Sequence, residues 1–216
     1  MKHKKAAAIF SLLIVLLLNS CFGANIDITL NQNGSGLIVL DYQIAKSLDS
    51  LGKLDGNENW NTIPVGKADF ERTIERLPDI KLLSFNSKEN EKNIVIESKM
   101  EFLSFQGLLA FLDASGRHTN FSGDISRGRL NMTLSESGNI TNPGLEKLIM
   151  DIFESYAVKI SMSFPGEGSL AVRDQKGTPL QAGKDIIASG KKVSCTFPLA
   201  VILASAGGIS VEFNWR

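Results

Sequence analysis

Apolar and polar residues alternate along most of this chain, with the period of two that is typical of β-strands that have one buried face. The pattern starts at Asn25–Gln32, where Ile26, Ile28 and Leu30 alternate with polar residues. Asn33–Gly36 ("NGSG") follows, with residues that tolerate positive φ, and "LIVLDYQ" then returns as a second strand. The sequence therefore predicts a β-hairpin at the start of the domain.

The same alternation predicts further strands up to the last residue. They cover residues 80–87, 92–102, 118–123, 128–135, 157–166, 168–175, 191–197 and 208–215. Polar turns separate most of them, so we expect antiparallel neighbours, with 157–166 pairing with 168–175. In the last strand the apolar positions face inward, and we predict that Trp215 is buried among them. These positions are Ile209, Val211, Phe213 and Trp215.

Helical spacing of apolar residues appears in three segments, 67–78, 105–112 and 142–156. In the first, Phe70, Ile74 and Leu77 share one helical face, and the third begins with Asn142 as N-cap and Pro143 at the first helical position. Strands outnumber helices and mostly connect as hairpins. The predicted fold class is therefore α+β, a mostly antiparallel curved β-sheet with a few covering helices.

The first residues have the composition of an export signal. Lys2, Lys4 and Lys5 precede Ala6–Leu18, which is apolar except for Ser11. This run is shorter than the roughly 20 apolar residues of a spanning helix, and it fits the h-region of a secretory signal. We therefore expect residues 1–20 to be a signal peptide that is removed.

Cys21 is the predicted lipidation site, because Leu18–Cys21 ("LNSC") resembles the bacterial lipobox, in which an acylated cysteine becomes the mature N-terminus. That resemblance implies several fatty acyl chains, palmitate among them, and each buried methylene adds about 0.8 kcal/mol of membrane affinity. Residues 21–24 are then the lipidated N-terminus and a short linker, and residues 25–216 form a single envelope domain. The alternative is an ordinary secretory peptide cut nearby, for example after Ala24, with the cysteine lost.

Charge and cysteine content narrow the environment further. Removing residues 1–20 takes three lysines from 23 basic residues and leaves 20 against 23 acidic ones, a net charge of −3. No sequence cluster of basic residues remains, so nucleic acid is not an expected partner. With Cys21 acylated, Cys195 has no partner for a disulfide within the chain. Phe22 stands at the position where some bacteria place the aspartate that retains a lipoprotein in the inner membrane. Its identity therefore favours the outer membrane.

Candidate chemistry is sparse. His118 is the single histidine after the signal, too few for the usual zinc ligand set, and no framed nucleophile accompanies it. We expect His118 to lie in a surface turn, Cys195 to be a buried inert thiol, and Glu89 and Glu91 to be solvated. The "GEGSL" stretch lacks the lysine and helix of a phosphate-binding loop. The sequence therefore predicts no enzyme, no metal and no cofactor.

Several of these features together are similar to the LppM-like bacterial lipoproteins. They are the lipobox cysteine, the immediate strand, the "NGSG" turn, the late "SFPG" and the terminal strand that ends in Trp215. The resemblance spans most of the mature chain, but those proteins commonly continue into a C-terminal transmembrane helix that this sequence lacks. It implies an envelope protein with an α+β domain that contacts lipids or glycolipids and has no catalytic set.

Two functions follow as hypotheses. The first is a membrane-anchored lipoprotein that binds a lipid or glycolipid, with the apolar strand faces enclosing the ligand or simply filling a core. The alternative is a structural lipoprotein that docks a protein partner in the envelope, which requires a wide exposed apolar patch. A hydrolase that uses His118 is the third hypothesis. Residues 50–66 are predicted to form a mobile polar loop in which Trp60 either pins the loop or touches a ligand.

Overall fold

The computed structural model describes residues 23–46, 66–77, 79–134, 147, 156–174, 177–179, 184–204 and 208–216. The strands in these ranges are β1 (Ala24–Leu30), β2 (Gly36–Ala45), β3 (Ile80–Glu89), β4 (Asn93–Phe102), β5 (Thr119–Gly123), β6 (Gly128–Thr133), β7 (Ala157–Asp174), β8 (Lys184–Ile187), β9 (Ser189–Pro198) and β10 (Ile209–Trp215). The helices are α1 (Lys67–Ile74), α2 (Phe105–Leu112) and α3 (Leu199–Ala204).

The strands form one mixed sheet in the order β3-β4-β2-β1-β7-β10-β6-β5, and β9 pairs with both β7 and β8. Every strand pair in the described ranges is antiparallel except β1–β7, which is parallel. The sheet is curved and not closed. The predicted α+β class with a mostly antiparallel curved sheet is therefore confirmed.

Strand β7 joins two parts of the sheet. Its first half pairs with β1 at Val158–Ser163, and its second half pairs with β10 at Gly168–Asp174. Because β9 runs along the other edge of both halves, β1 and β10 follow one another along the same edge of β7. Between Ser163 and Gly168 the four residues Phe164–Glu167, here called the arch, oppose only Lys191 of β9. Such a bulge bends a strand and increases its twist.

The expected pairing of 157–166 with 168–175 is wrong, because both segments belong to the single strand β7. The "FPG" sequence suggested a reversal, yet residues 164–167 lie within the continuous strand β7, and Gly166 is not among the described glycines with positive φ. The main-chain N–H and C=O of Glu167 instead exchange hydrogen bonds with Arg216 at 3.1 and 2.9 Å. The residue after β10 therefore satisfies the main-chain hydrogen-bonding groups of Glu167 in the arch, and β7 continues in one direction.

The inward strand positions form one continuous core, as the alternation predicted. Ile209, Val211, Phe213 and Trp215 on β10 are all buried, as are the alternate positions of β4. Helix α1 packs on β3, with Phe70 stacked 6.3 Å from Tyr42 and tilted 5.1 Å from Phe85 between ring centroids. The helix ends at Ile74, four residues before the end of the predicted segment.

The hairpin at the start of the domain is confirmed, with Gly34 at φ +83° in its turn. Strand β1 begins at Ala24, the last residue of the predicted linker, so the domain starts one residue earlier than expected. Three predictions lie outside the described residues: the signal peptide with Cys21, the loop around Trp60, and the 142–156 helix apart from its residues 147 and 156. Within the described ranges, none of the helices combines the length and the apolar character needed to cross a membrane.

Candidate functional site

Two rows of residues cross β5, β6, β10, β7 and β9 near one end of the sheet. The first, the polar row, pairs residues whose side chains face away from the core: Ser122, Arg129, Asn214, Ser169 and Ser189. The second, here called the glycine row, is the adjacent line of paired residues and consists of four glycines and one tryptophan: Gly123, Gly128, Trp215, Gly168 and Gly190. Polar side chains on five strands thus lie beside glycine backbone on four of them.

The glycine row allows aromatic rings to lie against the backbone on the inner side of the sheet. A Cβ on Gly128 would be 2.7 Å from Trp215 Cε2, and a Cβ on Gly168 would overlap the ring of Phe164. The two rings stack with centroids 5.3 Å apart, and Phe121 stacks on Trp215 at 5.9 Å. The Trp215 indole N–H donates to the carbonyl oxygen of Ile125 at 2.8 Å. These rings pack against the inner side of the sheet and support the two rows.

Above these rows lies an open groove of about 730 Å³, here called the arginine groove. Its lining consists of the polar row, most of the glycine row and three further residues with charged side chains. The charged side chains in the lining are Arg127, Arg129, Arg216 and Glu167. The volume lies within the range of small-ligand sites, roughly 300–1,000 Å³. Three arginines and one glutamate in the lining give the groove an excess of positive charge, although the whole chain has a formal net charge of zero.

Arg129 is held in the centre of the polar row by side chains of β10. Its Nε donates to Asn214 Oδ1 at 3.0 Å and lies 3.8 Å from Glu212 Oε1. Asn214 Nδ2 in turn donates to Glu212 Oε1 at 2.9 Å, which fixes the amide. Within the described residues, the terminal Nη atoms of Arg129 make no hydrogen bond, so they remain available to a ligand.

Arg127 is presented by a short turn between β5 and β6. Asp124 Oδ1 accepts hydrogen bonds from the main-chain N–H groups of Arg127 and Ser126, at 2.9 and 2.8 Å, and from the Ser126 hydroxyl at 2.6 Å. The Ser126 hydroxyl is the main cause that lowers the pKa of Asp124, and the two N–H groups add to it. The carboxylate is therefore committed to the turn. The Arg127 side chain is exposed and has no ion-pair partner within the described ranges.

Arg216 borders the groove from the opposite side. Its main chain is bonded to Glu167, whereas its exposed side chain has no carboxylate partner among the residues that the structure describes. A smaller cavity of about 270 Å³ lies beyond it and also touches Trp215. The other residues of that cavity are Gln32, Ile125, Ser126, Pro165 and Gly166. The end of β10 thus separates two depressions.

Trp215 and residues 167–169 of the "GEGSL" stretch line this groove, whereas His118, Cys195 and Glu89 do not. His118 is half-buried in the bend before β5, where its main-chain N–H donates to Asp113 Oδ2 at 2.6 Å. Cys195 is fully buried in β9, as predicted, and burial raises the pKa of its thiol to about 12. Glu89 is exposed and forms an ion pair of 3.0 Å with Lys46. The described part of the chain contains no group of three or more His, Cys, Asp or Glu residues that could hold a metal ion.

The chain matches no protein-family model. Neither a curated protein nor a solved structure is significantly similar to it. The resemblance to the LppM-like lipoproteins therefore stays a prediction.

The arginine groove was missed by the sequence reading, which found no cluster of basic residues. Arg127 and Arg129 flank a turn glycine, whereas Arg216 lies 87 positions after Arg129 (216 − 129). Only the pairing of β10 with both β6 and β7 brings them to one end of the sheet. The one signal available in the sequence was the pair of arginines on either side of Gly128.

Proposed function

We propose that the protein is a bacterial lipoprotein of the cell envelope, anchored in a membrane through acylated Cys21, whose folded domain binds the polar headgroup of a lipid or glycolipid. The observation that carries the binding part is the arginine groove, an open surface of hydroxyl, amide and guanidinium groups. Hydrogen-bonding groups of this kind suit hydroxylated and charged headgroups. The anchor rests on the basic n-region, the short apolar run and the "LNSC" sequence.

Packing of the core supports recognition of a headgroup rather than of an acyl chain. The inward faces of the strands, which an acyl-chain site would need, are filled by one continuous cluster of apolar side chains. Ile28, Ile96 and Met162 in this cluster are completely buried. Opening space for a chain there would cost packing energy, since buried apolar side chains contribute about 1.5–3 kcal/mol each. The groove on the outer side requires no such rearrangement.

The alternative, a structural lipoprotein that docks a protein, has less support in the described residues. Their exposed large apolar side chains are Leu83, Leu103 and Ile187. Leu83 lies at a bulge in β3, at one end of the sheet, whereas Ile187 lies on β8 beyond β9. Leu103 directly follows β4, the neighbour of β3, so Leu83 and Leu103 lie in the same part of the sheet, whereas several strands separate them from Ile187. Two or three exposed side chains do not make the wide patch that docking requires.

Intact mass spectrometry of the membrane-extracted protein tests the anchor. We expect a mass that begins at Cys21 and includes acyl chains. An unmodified mass that begins at another residue contradicts the lipoprotein proposal.

Lipid binding is tested by purifying the same protein in detergent and analysing co-purified lipids by mass spectrometry. We expect enrichment of one headgroup class over the membrane average, and loss of that enrichment when Arg129 is replaced by Gln. A lipid profile identical to that of the membrane, in both the wild type and Arg129→Gln, contradicts headgroup binding.

A further inference from the structure

We propose that the arginine groove binds a phosphate group, with Arg127, Arg129 and Arg216 as its ligands. This inference rests on the proposed function only in that the phosphate is expected to be part of a lipid headgroup, and the shared chemistry is the phosphate ester itself. Arg127, Arg129 and Arg216 line one cavity of about 730 Å³ together with one acidic residue, Glu167. A second carboxylate, Glu212, pairs with Arg129 from outside the lining. Three arginines against these two carboxylates leave an excess of positive charge, which favours the entry of an anion.

The three arginines have complementary roles. Arg129 is oriented by Asn214 and Glu212, which occupy its Nε and leave the terminal nitrogens of the guanidinium to the groove. Arg127 and Arg216 are held through their main chains, and both exposed residues line the groove beside Arg129. An oriented central group with two exposed flanking groups fits a small anion that enters from solvent.

The donor geometry favours phosphate over a carboxylate or a nucleic acid. A guanidinium donates through a planar fork, and a phosphate presents three or more acceptor oxygens to several such forks, whereas a carboxylate has only two oxygens. A nucleic-acid site neutralises a row of phosphates and requires a broad basic surface. Here the positive charge is confined to one groove in a chain with 23 basic and 23 acidic residues.

The polar row supplies a second set of contacts next to the phosphate. The hydroxyl groups of Ser122, Ser169 and Ser189 face away from the core on three different strands, and all line the groove. Hydroxyls both donate and accept hydrogen bonds, so they suit a hydroxylated group to which the phosphate is esterified. The ligand class is therefore a phosphate ester of a polyol or a sugar.

The test uses the full lipidated protein in an uncharged polyoxyethylene detergent, with isothermal titration calorimetry at low ionic strength. The probes are inorganic phosphate, short-chain phosphatidic acid and octyl glucoside, an uncharged sugar lipid. The variant is Arg127→Gln/Arg216→Gln. Its matched control is Arg76→Gln/Arg117→Gln, which removes the same charge from two exposed arginines outside the groove. All four side chains are exposed, so we expect both variants to fold, and circular dichroism checks this.

We expect wild type and control to bind phosphate and phosphatidic acid, and the groove variant to bind each at least tenfold more weakly, because it loses two groups that form charge-assisted hydrogen bonds to phosphate. Phosphate binding without phosphatidic acid binding supports this inference and contradicts the lipid part of the proposed function. Binding of octyl glucoside alone, unchanged in the groove variant, overturns the phosphate site and leaves the proposed function standing. Equal weakening in both variants, or no binding of any probe, overturns the inference.

Discussion

The Trp215 side chain is held by several contacts. Its ring lies against Gly128, stacks with both Phe121 and Phe164, and donates its N–H to the main chain of Ile125. Aromatic pairs at such distances contribute about 0.5–1.5 kcal/mol beyond their buried area. The absence of a side chain on Gly128 is therefore as much a part of this packing as the indole itself.

Replacement of Gly128 by Ala should lower the free energy of unfolding by about 1–3 kcal/mol, because the new methyl group overlaps the six-membered ring of Trp215. Chemical denaturation measures the change. Ser169→Ala is the matched control, since Ser169 is exposed in the neighbouring polar row, and it should change stability by less than about 0.5 kcal/mol.

In a Trp215→Phe background the smaller ring relieves the overlap, so Gly128→Ala should cost less there than in the wild type. Equal costs in the two backgrounds would mean that the methyl group is accommodated without contact with residue 215.

Cys195 should be chemically silent in the folded protein. It has no exposed surface, and burial raises the pKa of its thiol to about 12, so almost no thiolate exists near neutral pH. We expect no reaction of Cys195 with a thiol reagent at pH 8 until guanidinium unfolds the domain, as read from peptide mass spectrometry. Ser189→Cys places a thiol at an exposed position of the same strand and should react at once. Rapid native modification of Cys195 would contradict its burial.

The Cys195 thiol also makes the free energy of unfolding depend on pH. Its folded pKa lies above the ordinary value near 8.5–9, so the unfolded chain releases this proton first as pH rises. The stabilisation is complete below about pH 9 and is lost progressively between about pH 9 and pH 12, by at most about 1.4 kcal/mol per pH unit. Cys195→Ala should remove this part of the alkaline destabilisation in a urea titration series.

At the scale of secondary-structure elements, the alternation of apolar and polar residues was the most informative feature of the sequence. Strands such as β4 and β10 were predicted because one face is buried against a core, and the alternation of Ile94, Ile96 and Met100 reports that burial directly. The arch in β7 was not predicted, because Pro165 and Gly166 are as common in turns as in bulges. Its conformation depends on hydrogen bonds to Arg216, which is distant in sequence. The arginine groove was hidden for the same reason.

The connection between α2 and β5 is organised by one carboxylate. Asp113 Oδ1 accepts from the N–H and hydroxyl of Ser115 and the N–H of Gly116, at 2.5–3.0 Å. Its Oδ2 accepts from the N–H groups of His118 and Thr119 at 2.6 and 2.9 Å. The Ser115 hydroxyl is the largest cause that lowers the pKa of Asp113 to about 2, followed by the main-chain donors. The loop is thus closed by a single ionised side chain.

Asp113→Ala should expose the amides of His118 and Thr119 to hydrogen exchange, while amides in the middle of β6 stay protected. Because the folded pKa is lowered, the stabilisation is present above about pH 4 and is lost as pH falls toward 2. An NMR titration of the Asp113 carboxyl carbon should give a midpoint near pH 2. A midpoint near the ordinary value of 3.8 would show that these hydrogen bonds do not form in solution.

At the scale of the whole molecule, the curved sheet is continuous through β7 and β9, so its two parts cannot be separated without breaking the strands they share. The N-terminus of the domain enters this unit through β1, whose pairing with β2 and β7 begins at Ala24. In the sequence only Phe22 and Gly23 stand between Cys21 and this strand. Acylation of Cys21, as proposed, would therefore hold the domain close to the membrane.

Cys21→Ser should abolish acylation and let uncleaved precursor accumulate, because serine cannot form the thioether that precedes lipoprotein cleavage. Cell fractionation with salt washing and immunoblotting measures this. Cys195→Ser, at the buried thiol, is the matched control and should leave fractionation unchanged. A Cys21→Ser protein that is processed and fractionates like the wild type would contradict the anchor.

If Cys21 carries the proposed acyl chains, the register of β9 also sets how far the groove stands from the membrane. Phe197 pairs with Val158, which pairs with Ala24, whereas Gly190 pairs with Gly168 at the groove. Seven residue steps (197 − 190) of strand correspond to about 23 Å. Three residues before Ala24 would add about 10 Å if extended. An upright domain would then hold the groove about 30 Å above its own bilayer, whereas a domain tilted onto the membrane would bring the groove to the lipid surface. The tilt of the domain would therefore decide which envelope surface the groove can reach.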